Sequence, residues 1–158
     1  MNSGADVAEN LELAERLLAD AAADGVELAV LPENFAIMGH RGRDKVAHAE
    51  QPGSGPIQEF LATISLRHKM WVVAGSMPLA SAEEHRVYGA CPVYNANGEE
   101  VACYRKIHLF DVVLPDVGES YMESRSMYPG DEPICVDSPI GRIGLAICYD
   151  LRFPELFR

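Results

Sequence analysis

The sequence lacks any apolar run long enough to cross a membrane, and its N-terminus has no basic region followed by an apolar one. These two absences predict a cytoplasmic protein without a membrane partner. The five histidines show no HxH or HExxH spacing, and the four cysteines form no CxxC pair or Cys/His cluster. We therefore expect no metal, and the cysteine usage favours a reducing compartment.

Positive charge is also scarce, since 13 Lys and Arg residues stand against 24 Asp and Glu residues and give a formal net charge of −11. Such a surface repels a phosphate backbone, so nucleic acid is not an expected partner. No internal repeat, low-complexity tract or linker interrupts the 158 residues, of which 48% are hydrophobic. They are predicted to form one domain over residues 1–158.

The first half of the chain alternates helix and strand patterns. Asp6 and Glu9 predict the start of an amphipathic helix. The apolar run Leu28–Leu31 predicts a strand that is buried on both faces. Pro56 then opens a second helix, and Trp71–Ala74 forms the next apolar run. This order predicts an α/β layered domain.

A β-hairpin is predicted next. The segments Val87–Tyr94 and Glu100–Arg105 flank an Asn-Gly pair, which is the strongest short-range hairpin signal. A two-residue turn there would place Cys103 opposite Pro92. Because proline lacks a backbone donor, Pro92 predicts an edge position or a bulge in the first arm.

Three residues with reactive side chains follow predicted strands. Glu33 follows the first strand, Lys106 follows the hairpin, and Cys148 ends the apolar run Ile143–Ile147. Pro154 predicts a helix after the cysteine. The N-terminal N–H groups and the dipole of this helix would stabilise a thiolate on Cys148. Since α/β folds bind ligands at strand ends, we expect the three side chains to share one pocket. Taken alone, Glu33 could be a solvated loop residue and Cys148 a small buried hydrophobe.

Together these residues meet the needs of thiol-based hydrolysis. Cys148 would be the nucleophile that attacks a carbonyl or nitrile carbon, and Glu33 would act as general base and then as acid to the leaving ammonia. Lys106 and the backbone N–H of Tyr149 would stabilise the oxyanion. His108 lies nearby in the sequence, and a supporting or core role is favoured for it over a catalytic one.

Three motifs carry a resemblance to a known family. The segments LPENF around Glu33, YRKIHLFD around Lys106 and GLAICYDLRFPEL around Cys148 resemble, in order and spacing, the signature motifs of the nitrilase superfamily of carbon–nitrogen hydrolases. The resemblance implies an α-β-β-α sandwich, a Glu-Lys-Cys triad and no metal or organic cofactor. It also implies assembly into homodimers or larger homo-oligomers.

The connection 111–131 is rich in proline, glycine and acids, and it is predicted to be a long structureless loop with a functional role. Within it, MESRSMYPGD resembles the family segment that carries an additional glutamate. That residue would be Glu123, which would orient Lys106 and the substrate.

The motifs look most like the branch of deaminated-glutathione amidases and omega-amidases. The resemblance therefore implies a small-molecule substrate, the terminal amide of a 2-oxo acid, which is anionic. Arg152 is the candidate for binding its carboxylate. Alternatively, Arg152 forms a structural ion pair with Asp150 or Glu155.

Family members begin with a strand before the first helix and continue well past the cysteine. By this resemblance the sandwich is expected to be incomplete, without its first strand and its C-terminal half. The chain alone is then expected to be weakly active or inactive. Three other functions remain open: a non-catalytic interaction piece, a hydrolase of another amide or a nitrile, and a peroxide-reactive thiol protein.

Overall fold

A five-stranded mixed sheet forms the centre of this computed structural model, which describes residues 1–116 and 118–158. Its strands are β1 (Leu28–Val30), β2 (Trp71–Val73), β3 (Met77–Ala80), β4 (Val87–Tyr94) and β5 (Glu100–Arg105). β1 is parallel to β2. β4 is antiparallel to all its partners, with β2 and β3 along one edge and β5 along the other. The predicted α/β class is confirmed, although β3 was not predicted.

Helices cover one face of the sheet. They are α1 (Val7–Ala23) and α3 (Pro56–His68), with the short α2 (Gly42–Ala47) between them in the chain. The Asp6 side chain accepts a hydrogen bond from the Glu9 N–H at 3.0 Å, so the predicted N-cap is confirmed. The apolar residues of α1 and α3 recur at helical spacing and form the larger core with the sheet. None of the described helices is both long and apolar enough to span a bilayer.

A two-stranded hairpin covers part of the opposite face. It consists of β8 (Cys135–Ser138) and β9 (Gly141–Gly144). Because side chains alternate along a strand, Val72 joins the helix-side core whereas Val73 joins a second core with the hairpin. Helices, main sheet and hairpin thus give the first three layers of the α-β-β-α order. Among the described residues, no α-helix follows α3, so the fourth layer is not represented.

The connection 111–131 is not structureless, and this prediction was wrong. It contains an antiparallel hairpin of β6 (Asp111–Leu114) and β7 (Glu119–Met122), followed by the 3₁₀ turn Glu123–Arg125. Most side chains of this hairpin are exposed or half-buried, so its hydrophobic alternation is weak. The backbone pairing nevertheless carries Glu123 back toward the main sheet.

Two strand predictions also need correction. The strand β1 is not buried on both faces, because Val30 is 68% exposed. The predicted strand Ile143–Ile147 is shifted, since β9 ends at Gly144 and the next three residues run outside any strand. The helix predicted at Pro154 is only the 3₁₀ turn Pro154–Phe157.

Pro92 lies in the middle of the sheet and not at its edge. It occupies the gap between β2 and β3, where its carbonyl accepts from the Ala74 N–H at 3.0 Å. The segment between β2 and β3 leaves the sheet at this gap. The proline therefore has no neighbouring strand to which an N–H would donate, and no hydrogen bond of the sheet is lost. A bulge follows at Val93 and Tyr94, and Cys103 lies opposite Pro92, as predicted. All four cysteines are free.

Candidate active site

Lys106 lies at the centre of the site, directly after β5, and its side chain is only 2% exposed. Its Nζ donates to Glu33 Oε1 at 2.9 Å and to Glu123 Oε1 at 3.0 Å. Burial by itself would lower the pKa of Lys106, but the charges and hydrogen bonds of Glu123 and Glu33 outweigh burial and raise that pKa. The amine is therefore a cation at neutral pH.

The position of Glu33 depends on a close backbone crossing. Gly75, in the gap between β2 and β3, has a φ of +60°, and a Cβ there would lie 2.1 Å from the carbonyl oxygen of Pro32. Only glycine allows the two segments to approach so closely. The Ser76 hydroxyl accepts from the Asn34 N–H at 2.8 Å, which fixes the turn just after Glu33.

Glu123 begins the 3₁₀ turn after β7. Its Oε2 accepts from the Phe110 N–H at 2.6 Å, while Oε1 accepts from Lys106. Both carboxylate oxygens are therefore engaged, and the side chain cannot rotate without breaking a bond. This arrangement fixes the ammonium group of Lys106 between two acids.

Cys148 stands at the start of the 3₁₀ turn Cys148–Arg152 with a φ of +48°, in the left-handed region. The turn is held from behind by Asp150, whose side chain is fully buried. Asp150 Oδ2 accepts from the Tyr104 hydroxyl at 2.7 Å and from the Ile147 N–H at 2.9 Å. The buried carboxylate thus ties the cysteine turn to the end of β5.

His108 completes the support behind the cysteine turn. Its backbone N–H donates to Asp150 Oδ1 at 2.9 Å, its Nδ1 lies 2.7 Å from the same oxygen, and its ring stacks on Phe153 at 3.7 Å. Burial would raise the pKa of Asp150, but the hydrogen bonds from Tyr104, Ile147 and His108 outweigh it and lower that pKa. The network was missed in the sequence, where Asp150 gave no signal beyond its place in the cysteine motif.

One cavity of about 450 Å³ is lined by Glu33, Lys106, Glu123 and Cys148 together. Its size is within the usual range for small-molecule sites. Apolar side chains such as Phe110 line other parts of its wall. A second cavity, of about 360 Å³ and largely apolar, lies between β1 and the β8–β9 hairpin and also reaches Glu33 and Cys148. The structure thus brings together Glu33, Lys106 and Cys148, which were predicted to share one pocket, and places Glu123 beside them.

The Cys148 thiol is accessible, yet its pKa is raised. Burial is the largest cause, followed by the negative charge of Glu33, whereas Lys106 acts in the opposite direction. The expected stabilisation of a thiolate by a helix dipole is outweighed, since only a five-residue 3₁₀ turn follows. The thiol is therefore protonated at neutral pH and needs a base to react.

The remaining predicted residues differ in their placement. Tyr149 is the second residue of the 3₁₀ turn, where no carbonyl of the turn can accept from its N–H. Arg152 is exposed and lines neither of the two cavities. Lys45 of α2 was not predicted, although it lines the same cavity as Cys148. In the described part of the chain, no three His, Cys, Asp or Glu side chains are grouped to hold a metal ion.

Comparison with known proteins supports one family. The family model described as carbon-nitrogen hydrolase matches residues 1–158. The chain is 39% identical over 161 residues to a deaminated glutathione amidase of Synechocystis, covering 100% of this chain and 58% of that protein. It is 36% identical over 156 residues to a chloroplastic omega-amidase of Arabidopsis thaliana, covering 96% of this chain and 41% of that protein.

A solved structure agrees with the fold. The C. elegans NitFhit protein superposes with a TM-score of 0.89 at 31% sequence identity, over 99% of this chain and 38% of that chain. The chain spans about half the length of the curated relatives it matches. Because the family model covers every residue and the fold and motifs agree, the chain belongs to the carbon-nitrogen hydrolase family.

Proposed function

We propose that this chain carries the catalytic centre of an amidase that hydrolyses a terminal amide through a thioester on Cys148. The single observation that carries the proposal is the arrangement of Lys106, held at 2.9 Å and 3.0 Å from two glutamates, in the cavity that the Cys148 thiol also lines. A base, a cation and a nucleophile within one small cavity are the minimum set for acyl transfer from nitrogen to sulfur.

In the first half of the reaction, Glu33 takes the thiol proton as Cys148 Sγ attacks the amide carbon. A base is required because the thiol pKa is raised. The negative charge that develops on the carbonyl oxygen is stabilised by the Lys106 ammonium and the Tyr149 N–H. The C–N bond then breaks, and the proton held by Glu33 passes to the leaving nitrogen, so that ammonia departs and a thioester remains.

In the second half, Glu33 removes a proton from water, and the resulting hydroxide attacks the thioester carbon. The C–S bond breaks, Cys148 recovers its proton, and a carboxylate is released. Glu123 acts as a positioning residue in both halves, because its two oxygens hold Lys106 and the Phe110 N–H. The protein needs no redox partner for these steps.

The proposed substrate class is the ω-amide of a short 2-oxo acid. Support comes from the names of relatives, which include deaminated glutathione amidases and an omega-amidase. The cavity of about 450 Å³ has room for a molecule of that size. A nitrile would use the same nucleophile, so the reaction class must be tested directly.

The test is a substrate panel with 2-oxoglutaramate, deaminated glutathione and simple nitriles, run on the chain extended to the length of its relatives and on its Cys148→Ser variant. Ammonia release reports 2-oxoglutaramate and the nitriles, and release of cysteinylglycine reports deaminated glutathione. In parallel, mass spectrometry of the acid-quenched enzyme locates any acyl adduct. We expect hydrolysis of the two amides and not of the nitriles, with ammonia as the product from 2-oxoglutaramate, and an acyl group on Cys148. Turnover of nitriles alone, or an adduct on another cysteine, would overturn the proposal.

A further inference from the structure

The proposed reaction leaves one charged side chain of the cavity without a role. Lys45, on α2, lines the same cavity as Cys148 and is half-buried. Within residues 1–116 and 118–158, no carboxylate lies within ion-pair distance of its ammonium group. A half-buried lysine without a partner is costly, because burial disfavours the charged form.

The charges around Lys45 explain what it can bind. Lys106 is shared by two glutamates, so these three side chains carry one net negative charge. The pKa of Lys45 is lowered, because burial outweighs the negative charges of Glu123 and Glu33, which act to raise it. These two charges place the ammonium group of Lys45 within electrostatic reach of the glutamates. An anion bound beside Lys45 would give it the partner that the described residues do not supply.

We propose that Lys45 binds the carboxylate of the substrate at the end remote from the amide, and so selects short ω-amides of carboxylic acids over neutral amides. The proposal rests on the function proposed above and adds a specificity-determining residue to it. The apolar wall of the cavity, which includes Met38 and Phe110, would contact the chain between the two polar ends. Lys45 takes the role that Arg152 does not fill, since Arg152 lies outside both cavities.

Lys45 also provides a local positive charge in a strongly acidic chain. With a formal net charge of −11, the protein as a whole repels an anionic substrate. Among the described residues that line the cavity, only Lys45 and Lys106 are basic, and Lys106 is already paired with two acids. Lys45 is therefore the local positive charge that remains for an incoming carboxylate.

Three variants test the proposal. Lys45→Met removes the charge and keeps most of the length, Lys45→Arg keeps the charge, and Arg43→Met removes the same charge from an exposed position of the same helix. Each is assayed with 2-oxoglutaramate, which bears a carboxylate, and with pentanamide, which has the same chain length and none.

We expect Lys45→Met to raise KM for 2-oxoglutaramate by roughly 10–100-fold, as a lost charge-assisted hydrogen bond would. Its kcat/KM for pentanamide should stay within about 2-fold of the unaltered chain, because the same bond is absent there. Lys45→Arg should retain most of the affinity, and Arg43→Met should change neither substrate. An equal change on both substrates in Lys45→Met, or no change for 2-oxoglutaramate, would overturn the proposal.

A second measurement does not depend on turnover. The dicarboxylate 2-oxoglutarate should protect Cys148 from iodoacetamide in the unaltered chain and in Arg43→Met, and it should fail to do so in Lys45→Met. If the chain extended to the length of its relatives hydrolyses neither amide, the proposed function fails, whereas this protection pattern still supports Lys45 as the anion site. Equal protection in Lys45→Met and in the unaltered chain overturns it.

Discussion

The two sides of the candidate site are held by different means. On the acid–lysine side, Glu33, Lys106 and Glu123 are joined by two ion pairs. On the thiol side, none of the described ion pairs includes Cys148, and the Asp150 carboxylate anchors its turn from behind. One side is ordered by charges that face the cavity, and the other by hydrogen bonds that face away from it. Damage to either side should therefore have a distinct signature.

The largest effect is expected on the thiol side from Cys148→Ser. Turnover should fall by about 10⁴-fold or more, because the acid–lysine side can polarise the substrate but cannot form the covalent intermediate. Ammonia release and the adduct mass measure the loss. The melting temperature should stay nearly unchanged, since the Sγ atom supports no ion pair. Residual turnover within 10-fold of the unaltered chain would contradict a nucleophilic role.

On the acid–lysine side, comparing Glu33→Gln with Glu123→Gln distinguishes the contributions of the two carboxylates to kcat. Both acids accept from Lys106 at nearly equal distances, so each variant removes a similar ion pair. Only Glu33 is assigned proton transfer, and its loss should lower kcat by roughly 10²–10⁴-fold. The loss for Glu123→Gln should be clearly smaller. Equal values of kcat for the two variants would show that Glu33 acts only through the ion pair.

The anchoring of the thiol side is tested by Asp150→Asn. Losing the charge weakens the bonds from Tyr104 and Ile147, and hydrogen bonds to a charged group contribute about 1.5–3 kcal/mol. Hydrogen exchange at the Ile147 amide should accelerate by roughly 30-fold, while that of β4 stays unchanged. The matched control is Asp137→Asn in β8, which breaks only an exposed ion pair with Arg142 and should alter exchange very little. Uniform acceleration across both regions would mean that the two sides are not separately anchored.

The smallest expected effect is the influence of Glu33, on the acid–lysine side, on the pKa of Cys148, on the thiol side. Burial and the charge of Glu33 raise the pKa of Cys148, so its alkylation by iodoacetamide should rise with a midpoint at higher pH than that of an unburied cysteine. A neighbouring negative charge disfavours the thiolate, so Glu33→Gln should move the midpoint to lower pH. Peptide-level mass spectrometry measures Cys148 alone, and Cys91, whose pKa burial raises to about 12, serves as the unreactive reference. A shift to higher pH would contradict the placement of the carboxylate beside the thiol.

The acid–lysine side was the easier one to predict from sequence. The arms of the β4–β5 hairpin have the predicted bounds, because an Asn-Gly turn and β-rich arms are local signals. Lys106 comes directly after β5, and Glu33 follows β1 after two intervening residues. The ion pair that joins them links residues 73 positions apart, and no local pattern encodes that distance.

The thiol side was harder to predict. The apolar run before Cys148 indicated a strand through Ile147, but pairing with β8 ends at Gly144 and the last apolar residues are buried outside the ladder. The hairpin β6–β7 was missed because its pattern is weak on both faces. The placement of Asp150 and Lys45 beside the site depends on elements that are distant in the sequence, which sequence spacing does not reveal.

The left-handed backbone of Cys148 has a consequence for how such a chain can evolve. Any residue with a Cβ pays about 1 kcal/mol for that conformation, and glycine does not. Replacing Cys148 with glycine would therefore remove this conformational cost from the folded state, but it would also remove the thiol. Under the proposed function, stability and chemistry therefore place opposite demands on this one position.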